Sequence, residues 1–271
     1  MKFKLKGLKD ADSTSLSKFF NSIPNDTTEL KLNGSKLYNK KIDDLIAAFK
    51  LIPSSVASLD LSENMLRKMH TDKLLRLITA IPQSITTINL RKNNLWHKSV
   101  DDLASVFAAF SPNVKKLILG ENQFRDKKTL DLSIAFKALP ESVIELNLCK
   151  SHLNCLSIKN LNQMKNSLPY IQTVILSQGE IERMTTKQRI ALASSFPNLK
   201  KIIFLDNYNR RIAPSLEASL ARTLGLTTSP PSLLQQVSFF VASNKNNSKL
   251  NESKIVLDND TKDYVASAFS Y

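Results

Sequence analysis

The sequence predicts an α/β solenoid, with short parallel strands stacked on the concave face of a horseshoe and helices on its convex face. Three observations carry that prediction. An apolar-x-apolar triplet recurs at Leu30–Leu32, Leu59–Leu61, Ile88–Leu90, Leu117–Leu119, Leu146–Leu148, Val174–Leu176 and Ile202–Phe204, in steps of 29, 29, 29, 29, 28 and 28 residues. A proline precedes each triplet at nearly constant distance: Pro24, Pro53, Pro82, Pro112, Pro140, Pro169 and Pro197. Between triplets, apolar residues follow helical spacing, as in Ile42, Leu45, Ile46, Phe49 and Leu103, Val106, Phe107, Phe110. One strand-helix unit cannot bury its own apolar face, whereas seven stacked units share one continuous core.

The elements follow in order. Residues 1–24 read as an N-terminal cap, a short strand at Phe3–Leu5 and an amphipathic helix through Leu16, Phe19, Phe20 and Ile23. Residues 25–210 read as the solenoid of seven matched repeats. The helices open on acids favoured by the helix dipole (Asp43, Asp44, Asp72, Asp101, Asp102) and end before a proline that cannot continue them. Asparagine stands three residues after the triplet at Asn64, Asn93, Asn122 and Asn207, where its amide can bond the backbone of neighbouring coils. Ser35, Ser151 and Gly179 interrupt that ladder. Residues 211–271 read as a C-terminal cap and tail, with a helix near Pro214–Leu224, a strand over Val237–Val241 and a closing helix over Asp260–Phe269.

VASLDLSENML (56–66) and ITTINLRKNNL (85–95) follow the pattern L-x-x-L-x-L-x-x-N-x-L. On these residues the chain resembles the leucine-rich-repeat family over residues 20–210, and its repeat length is similar to that of the ribonuclease-inhibitor-like subclass. The resemblance implies a leucine-rich-repeat solenoid serving as a non-enzymatic binding scaffold.

Composition bounds the rest. The chain has 271 residues, 42% of them apolar, enough for a large core and incompatible with wholesale disorder. No run of about 20 apolar residues exists, so no membrane-spanning helix is expected. The lysine-rich start lacks the apolar segment of a signal peptide. Two cysteines cannot build a disulfide framework and are expected as reduced thiols.

The net charge of +14 raises the question of nucleic acid. Alternation along each strand turns the triplet ends inward and their neighbours outward. The four outward rows hold six bases (Lys31, Arg91, Lys92, Lys116, Lys150, Lys201) and six acids (Glu29, Asp60, Glu63, Glu121, Glu145, Asp206). A balanced face is not a cationic track for phosphates, and no specific nucleic-acid partner is expected. The same rows carry Ile118, Ile175, Ile203 and Leu205, with Cys149, and grouped outward apolar residues mark a partner surface. The expected protein-binding set is Lys31, Asp60, Asn89, Arg91, Lys116, Ile118, Glu145, Asn147, Ile175, Lys201, Ile203 and Leu205. In it Ile118, Ile175 and Ile203 act as anchors, and Arg91, Lys116 and Glu145 as orienting groups. The alternative is that the tail folds back over Ile203 and Leu205.

Catalytic residues are not expected. His70, His97 and His152 fall at unrelated repeat positions, and Cys149 with His152 lacks a third orienting group. Cys155 reads as a small apolar filler, and Trp96 as packed on the next repeat or as a rim contact. No cofactor or metal is expected. Lysine outnumbers arginine 29 to 9 and asparagine is abundant, as in an AT-rich genome. Small proteins of this composition are similar to effectors that intracellular bacterial pathogens inject into host cells. That resemblance implies type IV-like delivery, a translocation signal within Asn251–Tyr271 and a host protein bound by a monomer. A ubiquitin ligase of the bacterial leucine-rich-repeat type is not expected, because the residues after the repeats contain no cysteine. The alternatives are an adaptor recruiting a host enzyme such as a ubiquitin ligase, or a nucleic-acid binder using convex lysines.

Overall fold

The structure is a computed structural model that describes residues 1–5, 7–124 and 132–225. The expected strand at Val237–Val241, the helix at Asp260–Phe269, the tail signal and any tail cover over Ile203 lie outside the described residues, as does the side chain of Trp96.

Each triplet does form a strand. The sheet contains β1 (Lys2–Lys4), β2 (Glu29–Lys31), β3 (Ser58–Asp60), β4 (Thr87–Asn89), β5 (Lys116–Ile118), β6 (Glu145–Asn147), β7 (Thr173–Ser177) and β8 (Lys201–Leu205), all parallel and in sequence order. Register is unstaggered, so Leu30, Leu59, Ile88, Leu117, Leu146, Val174 and Ile202 stand side by side. From β2 to β6 the strands start one residue before the triplet, and the triplet's last N–H continues the ladder. Leu32 donates to the Asp60 carbonyl at 2.9 Å, and Leu61 to that of Asn89 at 2.8 Å. The N-terminal segment joins the same sheet, with Phe3 opposite Leu30.

The helices are α1 (Ser13–Asn21), α2 (Ile42–Phe49), α3 (Thr71–Thr79), α4 (Val100–Ala108), α5 (Leu132–Lys137), α6 (Ile158–Gln163), α7 (Gln178–Arg183), α8 (Thr186–Ala193) and α9 (Pro214–Thr223). Several begin on a side chain that takes an unpaired N–H of the first turn. Ser99 with Asp102 and Thr185 with Gln188 form reciprocal capping boxes, and Ser157 accepts from the Asn160 N–H. The prolines open the return turn: the Pro53 carbonyl accepts from Val56 N–H at 3.0 Å and Pro82 from Ile85 at 3.1 Å. Triplet ends and helix apolar faces form one core in which Leu30, Leu59, Leu117 and Leu146 have no exposed surface. Phenylalanines carry contact from coil to coil, with ring centroids 5.9 Å apart for Phe20–Phe49 and 6.4 Å for Phe107–Phe136.

Between strand and helix the chain makes a left-handed turn and then a 3₁₀ turn, as at Leu66–Lys68 and Leu95–His97. The 28–29-residue period therefore accommodates both a helix and a 3₁₀ turn. Two residues flanking each ladder position have positive φ: Gly34 and Lys36, Glu63 and Met65, Lys92 and Asn94, Glu121 and Gln123, Lys150 and His152. Non-glycine residues resist that region by roughly 1–2 kcal/mol each. What holds them is the asparagine between. Asn93 Oδ1 accepts from Asn64 N–H at 2.9 Å and Leu66 N–H at 3.3 Å, while its amide donates to the Leu61 and Leu90 carbonyls at 3.0 Å each. Asn122 repeats the arrangement one coil later, on Asn93, Leu95, Leu90 and Leu119.

Three expectations are corrected here. Asn207 is exposed and takes no ladder place, because β7 and β8 run two residues longer and α7 starts directly after β7. Cys155 is exposed, since its 3₁₀ turn aims Leu153 inward instead. The lysines are not only solubilising: Lys98 is buried with its Nζ on the Met69 carbonyl at 2.6 Å, and Lys40 reaches the Ala11 carbonyl in the same way. Both staple one repeat to the one before it.

Candidate protein-binding face

The strands place the expected contact residues on one surface, and the structure sorts them into three kinds. Asp60, Asn89 and Asn147 are half-buried and tie back to their own strand ends. Each accepts the N–H two residues on, at 2.9 Å from Ser62, 3.0 Å from Arg91 and 2.9 Å from Cys149. They shape the face as much as they present chemistry on it.

The charged residues pair across strands. Lys116 Nζ lies 2.6 Å from Glu145, Lys31 lies 3.4 Å from Glu29, and Arg91 pairs with Glu121. Lys92 bridges Glu63 at 3.1 Å and Glu121 at 3.6 Å. The balance counted in the sequence is thus local, neighbour by neighbour. Among the described residues Lys201 has no ion pair and stands exposed.

Ile118, Ile203 and Leu205 are half-buried on the face, as an anchor row requires. Ile175 is not: it is only 8% exposed, flanked in register by Asn147 and Ile203. Cys149 is likewise buried, its thiol hydrogen-bonded to Ser177 and pushed up to about 11 by burial and by Glu180. A thiol held protonated is a poor nucleophile. Gly120, in the same row, fits because a Cβ there would meet the Cys149 carbonyl at 2.6 Å.

At the strand-end rim the structure adds residues that repeat logic passed over. Gly179 leaves the ladder position empty, and Glu180, the next residue, fills it from α7. Its carboxylate accepts the backbone N–H of His152, with Lys150 and Ser151 N–H groups also directed at it. Burial raises this carboxyl to about 7 against those bonds and the nearby Arg183. The signal in the sequence was an acid one residue out of phase where the asparagine fails.

Fold and face agree with comparison to known structures. The leucine-rich repeat-containing protein LegL7 from Legionella pneumophila superposes with a TM-score of 0.79 at 33% identity, covering 85% of this chain and 74% of that one. The chain belongs to the leucine-rich-repeat proteins. The C-terminal domain of Caenorhabditis elegans tropomodulin also matches, at a TM-score of 0.35 and 13% identity over 58% of this chain and 92% of that one. No protein-family model and no curated protein matches the chain. Among the described residues of this leucine-rich-repeat chain, no helix is long and apolar enough to cross a membrane. Nor does any group of three metal-ligating side chains occur among them.

Proposed function

We propose that the protein is a non-enzymatic scaffold that holds a protein partner on its concave strand face. The observation that carries this reading is the face itself: half-buried Ile118, Ile203 and Leu205 set among charges that already pair with one another. Apolar side chains supply the affinity of such a surface, and paired charges around them set register without a large desolvation cost. Ile175 backs the row from beneath rather than touching the partner. The partner is a host-cell protein and the scaffold a monomeric effector delivered without a Sec signal, a reading supported by the Lys- and Asn-rich composition and the bacterial source of LegL7.

The test is capture from host lysate by the wild-type chain and by an Ile118→Asp, Ile203→Asp double variant whose folding is checked by thermal unfolding. Loss of one specific captured protein in the variant is expected, with an affinity drop of at least a hundredfold, on the order of 3 kcal/mol. Unchanged capture sinks the concave-face reading. Delivery is measured separately with a reporter fusion lacking the last twenty residues, where equal transfer would refute a tail signal.

A further inference from the structure

The strand-end rim holds a recess of about 370 Å³ lined by Lys92, Glu121, Lys150, His152, Glu180 and Arg183 together with four uncharged side chains. Its charges are unevenly matched. Lys92 and Glu121 belong to the ion-pair network with Glu63 and Arg91 and are neutral as a group. Lys150 uses one of its three hydrogens on the Asn207 carbonyl at 2.7 Å. Arg183 is exposed and, among the described residues, no side-chain hydrogen bond fixes it.

Against these two cations stands Glu180, 4% exposed, with its Oε2 lacking any hydrogen-bond partner. A buried, orphaned carboxyl oxygen is unusual and marks a missing neighbour. Ionised, Oε2 is an acceptor without a donor; protonated, it is a hydroxyl without an acceptor. An incoming cation would meet Lys150 and Arg183 before it met Glu180. An incoming anion is drawn by both and can accept the Oε2 hydroxyl, so the surroundings select the second state.

We propose that this recess receives an acidic side chain, Asp or Glu, of a bound protein segment, held by Lys150 and Arg183 and by the protonated carboxyl of Glu180. The site stands whether or not the concave face holds a partner, because neither Ile118 nor Ile203 contributes to it. Binding is then linked to a proton. The carboxyl titrates near 7, and its ionisable surroundings are Cys149, which stays a neutral thiol, with His152, Lys150, Arg183, Lys92 and Glu121. The competent, protonated fraction falls about tenfold from pH 6 to pH 8, and apparent affinity falls with it.

The experiment is a fluorescence-anisotropy titration of the full chain with labelled hexaglutamate in 150 mM salt at pH 6 and pH 8. The wild-type chain is expected to bind about tenfold more weakly at pH 8. Glu180→Gln keeps Oε1 for the His152 N–H and a permanent donor at the other atom, so it should bind as the wild type does at pH 6, at both pH values. Arg183→Ala should weaken binding several-fold throughout, and His152→Gln should leave the pH dependence in place. Hexaglutamate binding that ignores both Glu180→Gln and Arg183→Ala overturns the site and reduces the effect to general attraction by a +14 chain. Tighter binding of hexalysine, or complete displacement of hexaglutamate by millimolar inorganic phosphate, overturns the ligand class.

Discussion

The strand-to-helix loops that follow β3 to β5 and those that follow β6 and β7 solve one problem by different means. Each must satisfy backbone groups buried where the chain leaves the sheet through a left-handed turn. After β3, β4 and β5 a single asparagine does it, with Asn64, Asn93 and Asn122 fully buried and bonded across three coils. After β6 the serine is too short: Ser151 reaches the Leu119 carbonyl at only 3.5 Å, and Phe124 N–H donates to the Ser151 carbonyl instead. After β7 a carboxylate stands in from the next helix. An amide both donates and accepts while neutral; a carboxylate only accepts, and does so with a charge that dislikes burial. The difference makes the first region independent of pH and the second sensitive to it.

The comparison breaks most sharply at Asn93. Asn93→Ala leaves two N–H groups and two carbonyls buried without partners, and chemical denaturation should show a loss of about 4 kcal/mol. Ser151→Ala at the equivalent position should cost less than about 1 kcal/mol; equal losses would mean the ladder is not what stabilises the first region. Next is Glu180→Gln. The native carboxyl titrates near 7 against 4.5 in an ordinary environment, so between those values the folded state holds the extra proton and stability falls as pH rises. The substitution should therefore change little at pH 4 and stabilise by up to about 3 kcal/mol at pH 8, read as a difference between the two unfolding midpoints. The smallest effect is Lys92→Gly, which gives a φ of 55° to the residue that tolerates it, as Gly34 does in the first loop. A gain of up to about 1 kcal/mol is expected, less a few tenths for the exposed pairs to Glu63 and Glu121; a net loss would show that those pairs hold the loop.

Much of this was legible in the sequence. The triplets and prolines have fixed periods because a stacked coil tolerates no slip, so strands, helices and ladder asparagines could be placed to within a residue or two. Leu59, Ile88 and Leu117 sit where spacing put them, as do Asn64 and Asn93. The outward rows were assigned correctly by alternation, but alternation does not measure depth, and Ile175 sinks because its neighbours in register cover it. The role of Glu180 was not legible, since it lies one residue out of phase and acts only after β7 lengthens and α7 begins early. Lys40 and Lys98 also escaped: a lysine's reach to the Ala11 or Met69 carbonyl depends on the next coil, not on its own window.

The unstaggered register also determines how the molecule yields to tension. Inter-strand hydrogen bonds run along the stacking axis, and most strands contribute only three residues, so a pull on the two ends loads one strand boundary at a time rather than shearing the sheet as a whole. Each coil that peels away frees 28 or 29 residues, about 100 Å of slack, before the next boundary bears load. Extended in a force spectrometer, the chain would behave as a row of breakable links, with those joined by Asn64, Asn93 and Asn122 the last to part.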